Sequence, residues 1–351
     1  MKQAGKEFSQ KLISWYGIHK RDLPWRSSND PYKIWLSEIL LQQTRVNQGM
    51  PYYYKFIEAF PEIGSLANAG ETEVLRLWQG LGYYSRARNL HHTAKLIISN
   101  YSGNFPGSYQ KLLKLKGVGK YTAAAIASFA FDEKVAVVDG NVYRVLSRVF
   151  GIKTDISSPA GQKEFSLLAN ELLPDKNVNT YNQAIMEFGA LHCTPQNPGC
   201  LECPLAAMCY ANMYGLQRSL PFKAKKAEKK NRYLNYVVLK EGEKYFMRER
   251  KGNDIWKGLY EFLLVEEKEL ISIENLLKKL FEKTSVKTKV IKESIEYKHI
   301  LTHRNIYSKF WVVEVNKTGI EEIKTAFYSK KQIIDLPKSV LINKFLEDYI
   351  F

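Results

Sequence analysis

From Phe8 to about Tyr214 apolar residues recur every three or four positions, in segments of ten to fifteen residues separated by Gly, Pro and Asn. DPYKIWLSEILLQQT, ETEVLRLWQGL, RARNLHHTAKLIISNY and SPAGQKEFSLLANELLP are examples, and Asp30-Pro31 and Ser158-Pro159 supply cap-plus-proline helix starts. Only KVAVVD, residues 134–139, has the look of a strand. The pattern therefore predicts an all-α domain over residues 1–217. Beyond it the period changes. RYLNYVVLK and KYFMRER flank Glu241-Gly242-Glu243 as the arms of a hairpin would, and GLYEFLLVE, SIEYKHIL and KFWVVEV read as further strands. ISIENLLKKLFEK and KSVLINKFLEDY read as helices, so residues 233–351 are predicted to form an α+β domain. Between the two, residues 218–232 are polar, contain proline and lack periodicity, as a linker does; RSLPFKAKKAEKKNRY carries seven basic residues and one acidic.

Composition narrows the class. The chain has 351 residues, 45% of them hydrophobic, which fits two globular domains and excludes a disordered chain. MKQAGKEFSQ leads into no apolar signal region, and the longest membrane-like run, YTAAAIASFAF, is too short to cross a bilayer. A soluble, cytoplasmic chain is expected. The formal charge of +16 points to a polyanionic partner, with nucleic acid ahead of a membrane. All four cysteines lie in CTPQNPGCLECPLAAMC, as C-x6-C-x2-C-x5-C. In a reduced compartment such crowding favours metal binding over disulfides. Structural zinc sites usually carry two close pairs, and here only Cys200 and Cys203 form one. Four thiolates on one compact segment can instead hold a [4Fe–4S] cluster, so Cys193, Cys200, Cys203 and Cys209 read as ligands of such a cluster or of zinc, and the resemblance below favours the cluster.

Three stretches carry candidate chemistry. In IWLSEILLQQTRV, Glu38 stands within an apolar run: it is either on the solvent face of the helix or a carboxyl group in a dry pocket with a raised pKa. In LLKLKGVGKYTAAAIASFAF, Gly117 and Gly119 allow a tight turn whose N–H groups suit a phosphate, although an ordinary helical hairpin would use the same glycines as caps. Asp139, in VAVVDGNVYRVLSRVF, follows four apolar residues and precedes a helix. It is expected to cap that helix, and capping is compatible with catalysis.

Together the glycine hairpin, the Asp some twenty residues later and the cysteine spacing resemble the helix-hairpin-helix DNA glycosylases of the endonuclease III branch. LPWR, SEILLQQTRV, QGLGYYSRARNL, GVGKYTAAAI, VDGNVYRVLSR and NQAIMEFGALHC are similar, nearly word for word, to MutY-type adenine DNA glycosylases. This resemblance implies a helical glycosylase domain with its hairpin near residues 112–128 and its cluster segment at 193–209. It implies a monomeric base-excision repair enzyme, in a bacterium associated with the nucleoid through DNA. Its substrate would be duplex DNA with adenine opposite 8-oxoguanine or guanine. Glu38 would protonate adenine N7 and then activate water, Asp139 would face the sugar, and Tyr121 and Asn141 would orient the pair. Packing and capping are the plainer roles of those last two. Arg26 and Gln183 would read the extruded adenine, with Trp25 packed beside it. Gln43, Leu81 and Tyr83 would fill the stack, while Arg86 and Arg88 would meet phosphates unless they are plain surface charge. Bifunctional relatives carry a nucleophilic lysine at the position of Tyr121; a phenol forms no Schiff base, so strand cleavage should be weak or absent.

The C-terminal third resembles the Nudix-like domain with which these enzymes recognise 8-oxoguanine, yet no acidic metal box follows GNDIWKGLYEFLLVE, and pyrophosphohydrolase activity is not expected. The recognition loop reads Leu301-Thr302-His303 where the family commonly has Phe-Ser-His. Thr302 keeps a hydroxyl that could accept the N7–H of 8-oxoguanine, or is a plain strand threonine. TPQNPG, between Cys193 and Cys200, lacks the basic residues of relatives. Two rivals stand beside this reading: a glycosylase/lyase for oxidised pyrimidines, and a catalytically silent DNA-binding module.

Overall fold

Helices begin where the sequence supplies caps. Asp30 accepts the N–H of Tyr32 at 2.9 Å, Ser158 that of Gly161 at 3.0 Å, and Asp139 those of Asn141 and Val142. The structure, a computed structural model, describes residues 2–224, 229–281, 288–315 and 326–351; residues 225–228 of the expected linker lie outside these. The chain divides into two units, residues 1–67 with 92–226 and residues 68–91 with 227–351.

The helices of the N-terminal two thirds are α1 (Lys2–His19), α2 (Pro31–Leu41), α3 (Val46–Ala59), α4 (Ile63–Asn68), α5 (Glu71–Leu77), α6 (Ser85–Tyr101), α7 (Tyr109–Leu112), α8 (Lys120–Phe131), α9 (Gly140–Phe150), α10 (Pro159–Glu171), α11 (Val178–Leu191) and α12 (Tyr210–Met213). In the first unit Phe8, Leu12, Val145, Leu146, Phe165 and Phe188 form the centre of one core, from α1, α9, α10 and α11. Helix α8 buries Ala123, Ala124, Ala125 and Ala127 completely or nearly so, and packs against α2. Small side chains let the two backbones approach closely. That brings the first turn of α8, with Tyr121, beside Glu38.

Residues 134–139, expected as a strand, form none. They run as a loop whose backbone is satisfied by side chains: Ala136 N–H donates to Asn170 Oδ1 and Val137 N–H to Asn182 Oδ1, each at 3.1 Å. A run of β-branched residues suits any buried extended segment, and two asparagines stand in for the neighbouring strand. Asn182 also donates to Ser128 Oγ and to the Val135 carbonyl, which ties the loop that delivers Asp139 to α8 and α11.

In the second unit β1 (Lys230–Glu241), β2 (Lys244–Phe246), β5 (Leu263–Glu267), β6 (Thr288–Glu293), β7 (Tyr297–Ile300), β8 (Arg304–Val315) and β9 (Phe327–Ser329) build a mixed sheet, with β3 (Arg248–Glu249) and β4 (Tyr260–Glu261) paired apart from it. The hairpin turns at Gly242, whose φ of 55° suits glycine. Strand β1 starts inside the stretch expected as linker, because Lys230 to Arg232 pair in parallel with Arg304 to Ile306. The centre of β1 is buried on both faces. Helix α13 (Ile273–Phe281) covers one face, with Leu276 against Val237, Leu239 and Trp311. Helix α15 (Val340–Tyr349), after α14 (Lys330–Asp335), covers the other, where Phe345 stacks on Phe310 at 4.2 Å.

Candidate active site

Five pieces of the first unit converge on one cavity of about 540 Å³, within the range of small-ligand sites. Helix α2 supplies Glu38, the short 3-10 helix Pro24–Arg26 supplies Trp25 and Arg26, and α8 supplies Tyr121. The start of α9 supplies Asp139 and Asn141, and α11 supplies Gln183. Seven residues singled out from sequence thus line a single space. Glu38 is 7% exposed, and burial lifts its carboxyl to about 7, against a hydrogen bond from the Tyr121 phenol that acts the other way. Asp139 raises it further, and the Arg26 guanidinium opposes. The solvent-face reading of Glu38 therefore fails. Tyr121, held between Glu38 and Asp139, has its phenol pushed well above its ordinary value, chiefly by burial.

Asp139 is both a helix cap and a wall of the cavity. Its Oδ1 accepts Asn141 N–H at 2.9 Å and Val142 N–H at 2.8 Å, and its Oδ2 accepts Asn141 Nδ2 at 2.7 Å. Burial raises its pKa, and these donors resist the shift. Asn141 is oriented in turn, since Arg144 Nη2 donates to its Oδ1 at 2.8 Å and to the Gly189 carbonyl at 2.6 Å. Arg144 Nε donates to the Cys193 carbonyl at 2.7 Å, so the carboxylate is held through two side chains to the cysteine segment.

Sequence reasoning passed over three side chains around Arg26 and Gln183. Glu187, 1% exposed, takes Arg21 and Arg26 on one carboxylate, and Arg21 and Glu187 line the cavity. Tyr16, buried beneath, donates to Gln183 Oε1 at 2.8 Å. Trp25 is buried edge-on to Tyr53 at 5.2 Å. A signal for Glu187 was available: it lies one helical turn past Gln183, on the same face of α11.

The four cysteines, none of them paired in a disulfide, line a second cavity with Phe188, His192, Leu205 and Arg148. Arg148 donates to Cys193 Sγ at 3.3 Å and to the Thr194 carbonyl at 2.7 Å. Burial lifts the Cys203 thiol to about 11, and the other three thiols push it the same way. Among the described residues no group of three or more His, Cys, Asp or Glu is placed to hold a single metal ion. The residues fit an all-thiolate cluster.

The remaining sequence-derived residues divide. Gln43 and Tyr83 are exposed and hold left-handed backbone, φ 58° and 47°, which is costly for side chains of this size. Leu81, expected in the wedge, is 6% exposed. Arg86 is buried, stacks on Trp78 at 4.9 Å and donates to the carbonyls of Leu81 and Gly82. Arg88 donates to the Lys257 carbonyl at 2.6 Å. As placed, both guanidiniums bond loop carbonyls of the second unit. Thr302 and His303 are exposed in the bend between β7 and β8, not in a strand, and the hydroxyls of Tyr83 and Thr302 are hydrogen-bonded. Gly117, φ 79°, makes the turn before α8, and Gly119 caps it with open space where a Cβ would stand.

Comparison with known proteins gives the family. A family described as HhH-GPD superfamily base excision DNA repair protein matches residues 36–171, and a NUDIX domain family matches residues 235–348. The chain is thus a helix-hairpin-helix glycosylase of base excision repair joined to a Nudix-like domain. An adenine DNA glycosylase of Buchnera aphidicola subsp. Baizongia pistaciae is 36% identical over 342 residues, 95% of this chain and 94% of that one. A thermostable thymine-DNA glycosylase superposes with a TM-score of 0.57 at 31% identity, covering 61% of this chain and 98% of that one. A non-covalent endonuclease III–DNA complex shares the fold of the same portion, with a TM-score of 0.53, 22% identity and coverage of 62% and 99%. The chain belongs to the adenine DNA glycosylase family, whose members remove adenine from DNA in repair. One consequence concerns Gly189, where an added Cβ would lie 2.7 Å from Asn141 Cβ and 3.0 Å from its carbonyl oxygen. Gly189→Ala is expected to displace Asn141 and slow single-turnover adenine release about tenfold or more, with duplex affinity little changed in a binding titration.

Proposed function

We propose that this chain hydrolyses the N-glycosidic bond of adenine paired with 8-oxoguanine or guanine, without appreciable strand cleavage. The observation that carries the reading is the convergence of Glu38, at about 7, with Tyr121 and Asp139 on one cavity. Loss of adenine leaves charge at two places, the departing base and an oxocarbenium-like sugar. Glu38, protonated near neutral pH, donates to adenine N7, then as carboxylate draws a proton from water. Asp139, ringed by three N–H donors, faces the sugar and stabilises its positive charge, while Tyr121 and Asn141 hold the two carboxyl groups in place. Arg26 and Gln183 read the extruded base and Trp25 packs beside it. No lysine stands at Tyr121 to trap the sugar.

Duplex DNA meets the turn of Gly117 and Gly119 before α8, and Gln43 and Tyr83, exposed on left-handed backbone, enter the stack. Leu81 fills the loop behind Tyr83, which Arg86 and Arg88 brace. Thr302, with His303 beside it, reads 8-oxoguanine, and its bond to Tyr83 supports joint action of the reading loop and the wedge. Cys193, Cys200, Cys203 and Cys209 hold a [4Fe–4S] cluster. When bound, that cluster supplies a rigid thiolate-ligated brace with redox capacity; Arg148 and Arg144 anchor its segment to α9. No helix among the described residues is long and apolar enough to cross a membrane, in keeping with a cytoplasmic repair enzyme.

The deciding experiment follows base release under single turnover. Its duplexes carry adenine opposite 8-oxoguanine, guanine or thymine, or cytosine opposite 8-oxoguanine, each with and without alkali. Alkali-dependent breaks only at adenine, fastest opposite 8-oxoguanine, are expected. Breaks without alkali would favour a lyase, and tight binding without release would leave a binding module. Thr302→Val keeps the shape and removes the hydroxyl. It is expected to bring the rate opposite 8-oxoguanine about tenfold closer to that opposite guanine. An unchanged ratio would remove Thr302 from recognition.

A further inference from the structure

Arg26 reaches the cavity with its guanidinium already engaged. Its Nη1 donates to Glu187 Oε1 at 3.0 Å and to the Arg21 carbonyl at 3.2 Å, and its Nη2 donates to Glu187 Oε2 at 2.8 Å. The same carboxylate accepts the Arg21 backbone N–H at 2.9 Å, Arg21 Nε at 2.8 Å and Arg21 Nη2 at 2.7 Å. Burial would raise Glu187, but the hydrogen bonds from Arg21 and Arg26 hold it at about 2, ionised at every working pH. The Tyr16 ring lies under the Arg26 guanidinium, 5.7 Å from its centroid, and its hydroxyl is bonded to Gln183. One buried cluster therefore aims both side chains assigned above to the base.

Those two side chains have opposite tastes in purines. A guanidinium presenting two N–H groups pairs with the O6 and N7 of a 6-oxopurine, whereas an amide pairs with the N6 and N7 of adenine. An Arg26 fork open to the cavity would hold hypoxanthine or guanine at least as well as adenine. The end-on fork, Nη1 with Nη2, is not open, because Glu187 occupies it and fixes the direction of the remaining Nε edge.

We infer that Glu187 is a positioning residue that sets purine selectivity: by holding the Nη1 and Nη2 groups of Arg26, it denies a 6-oxopurine the end-on fork of the guanidinium and leaves Gln183 to read the 6-amino group. The inference rests on Arg26 and Gln183 facing the extruded base, as proposed above.

The test uses the full chain and two duplexes, with adenine or hypoxanthine opposite 8-oxoguanine, and reads the ratio of single-turnover release rates. That ratio is independent of the folded fraction, so a merely structural loss does not move it. Glu187→Gln, close in size, is expected to lower the adenine-to-hypoxanthine ratio about tenfold or more. Adding Arg26→Lys, which has no fork, should return the ratio to within about threefold of the parent. A ratio unchanged in Glu187→Gln, or unrestored in the double variant, overturns the inference. If Glu187→Gln does not fold, Glu187→Asp carries the test: its shorter side chain loosens the grip, and a fall of about threefold is expected. An unchanged ratio there is equally decisive against it. Failure of the parent to release adenine would instead sink the function proposed above, and the same assay shows it.

Discussion

Replacing Glu38 by glutamine is expected to slow adenine release by about 10²–10⁴-fold or more, and at the same time to stabilise the fold in alkaline solution. Both effects come from one property. The carboxyl is buried against apolar neighbours of α2, which lifts it from 4.5 to about 7. As a proton donor it works while protonated, so the parent's release rate should be flat below about pH 7 and fall roughly tenfold per unit above it. Stability runs in the same direction. Between 4.5 and about 7 the folded chain keeps a proton that the unfolded chain has lost, so stability falls as pH rises through that window. Above it the deficit reaches roughly 3 kcal/mol at most. Glutamine carries no charge at any pH and escapes the deficit. Thermal unfolding of the variant should match the parent near pH 4 and exceed it near pH 8. Activity lost without that alkaline gain would mean that Glu38 is already ionised in the folded protein, and that its role is not to donate.

The parts of this site legible in the sequence are those where chemistry sits inside a recognisable local frame. Glu38 stands out because a carboxylate is rare in so apolar a helix, and Asp139 because an Asp-Gly at a helix start announces a cap. The cysteines stand out as one group by their crowding into seventeen residues. Glu187 shares a helix face with Gln183, but its role was hard to read for the opposite reason. A glutamate in the middle of an amphipathic helix usually faces water, and nothing nearby in sequence shows that Arg21 and Arg26, some 160 residues earlier, fold onto it. Arg86 was half legible in the same way: its charge could be read from the sequence, but not its burial against Trp78 and the loop carbonyls. The strand expected at 134–139 shows the limit of periodicity, which reports burial and extension but not the partner that satisfies the backbone.

Asp139→Asn separates the two jobs of its carboxylate and is expected to cost about 10²–10³-fold in adenine release while leaving the fold nearly intact. Capping needs one acceptor oxygen for the N–H groups of Asn141 and Val142, now 2.9 and 2.8 Å from Oδ1, and asparagine caps helices about as well as aspartate. The second oxygen is where the substitution bites. Asn141 Nδ2 donates to Asp139 Oδ2 at 2.7 Å, and Asn141 cannot turn its amide over, because Arg144 already holds its Oδ1 at 2.8 Å. An amide at position 139 would set N–H against N–H there and leave the sugar facing a neutral group. The stability change should stay near about 1 kcal/mol, the scale of one hydrogen bond. Paired measurements decide it: thermal unfolding, and single-turnover release at saturating enzyme. A large loss of rate with an unshifted melting curve marks Asp139 as the group that answers charge on the sugar. A melting curve lowered in proportion to the rate would reduce Asp139 to a cap, and would move the burden of the oxocarbenium charge to Glu38 once its proton has left.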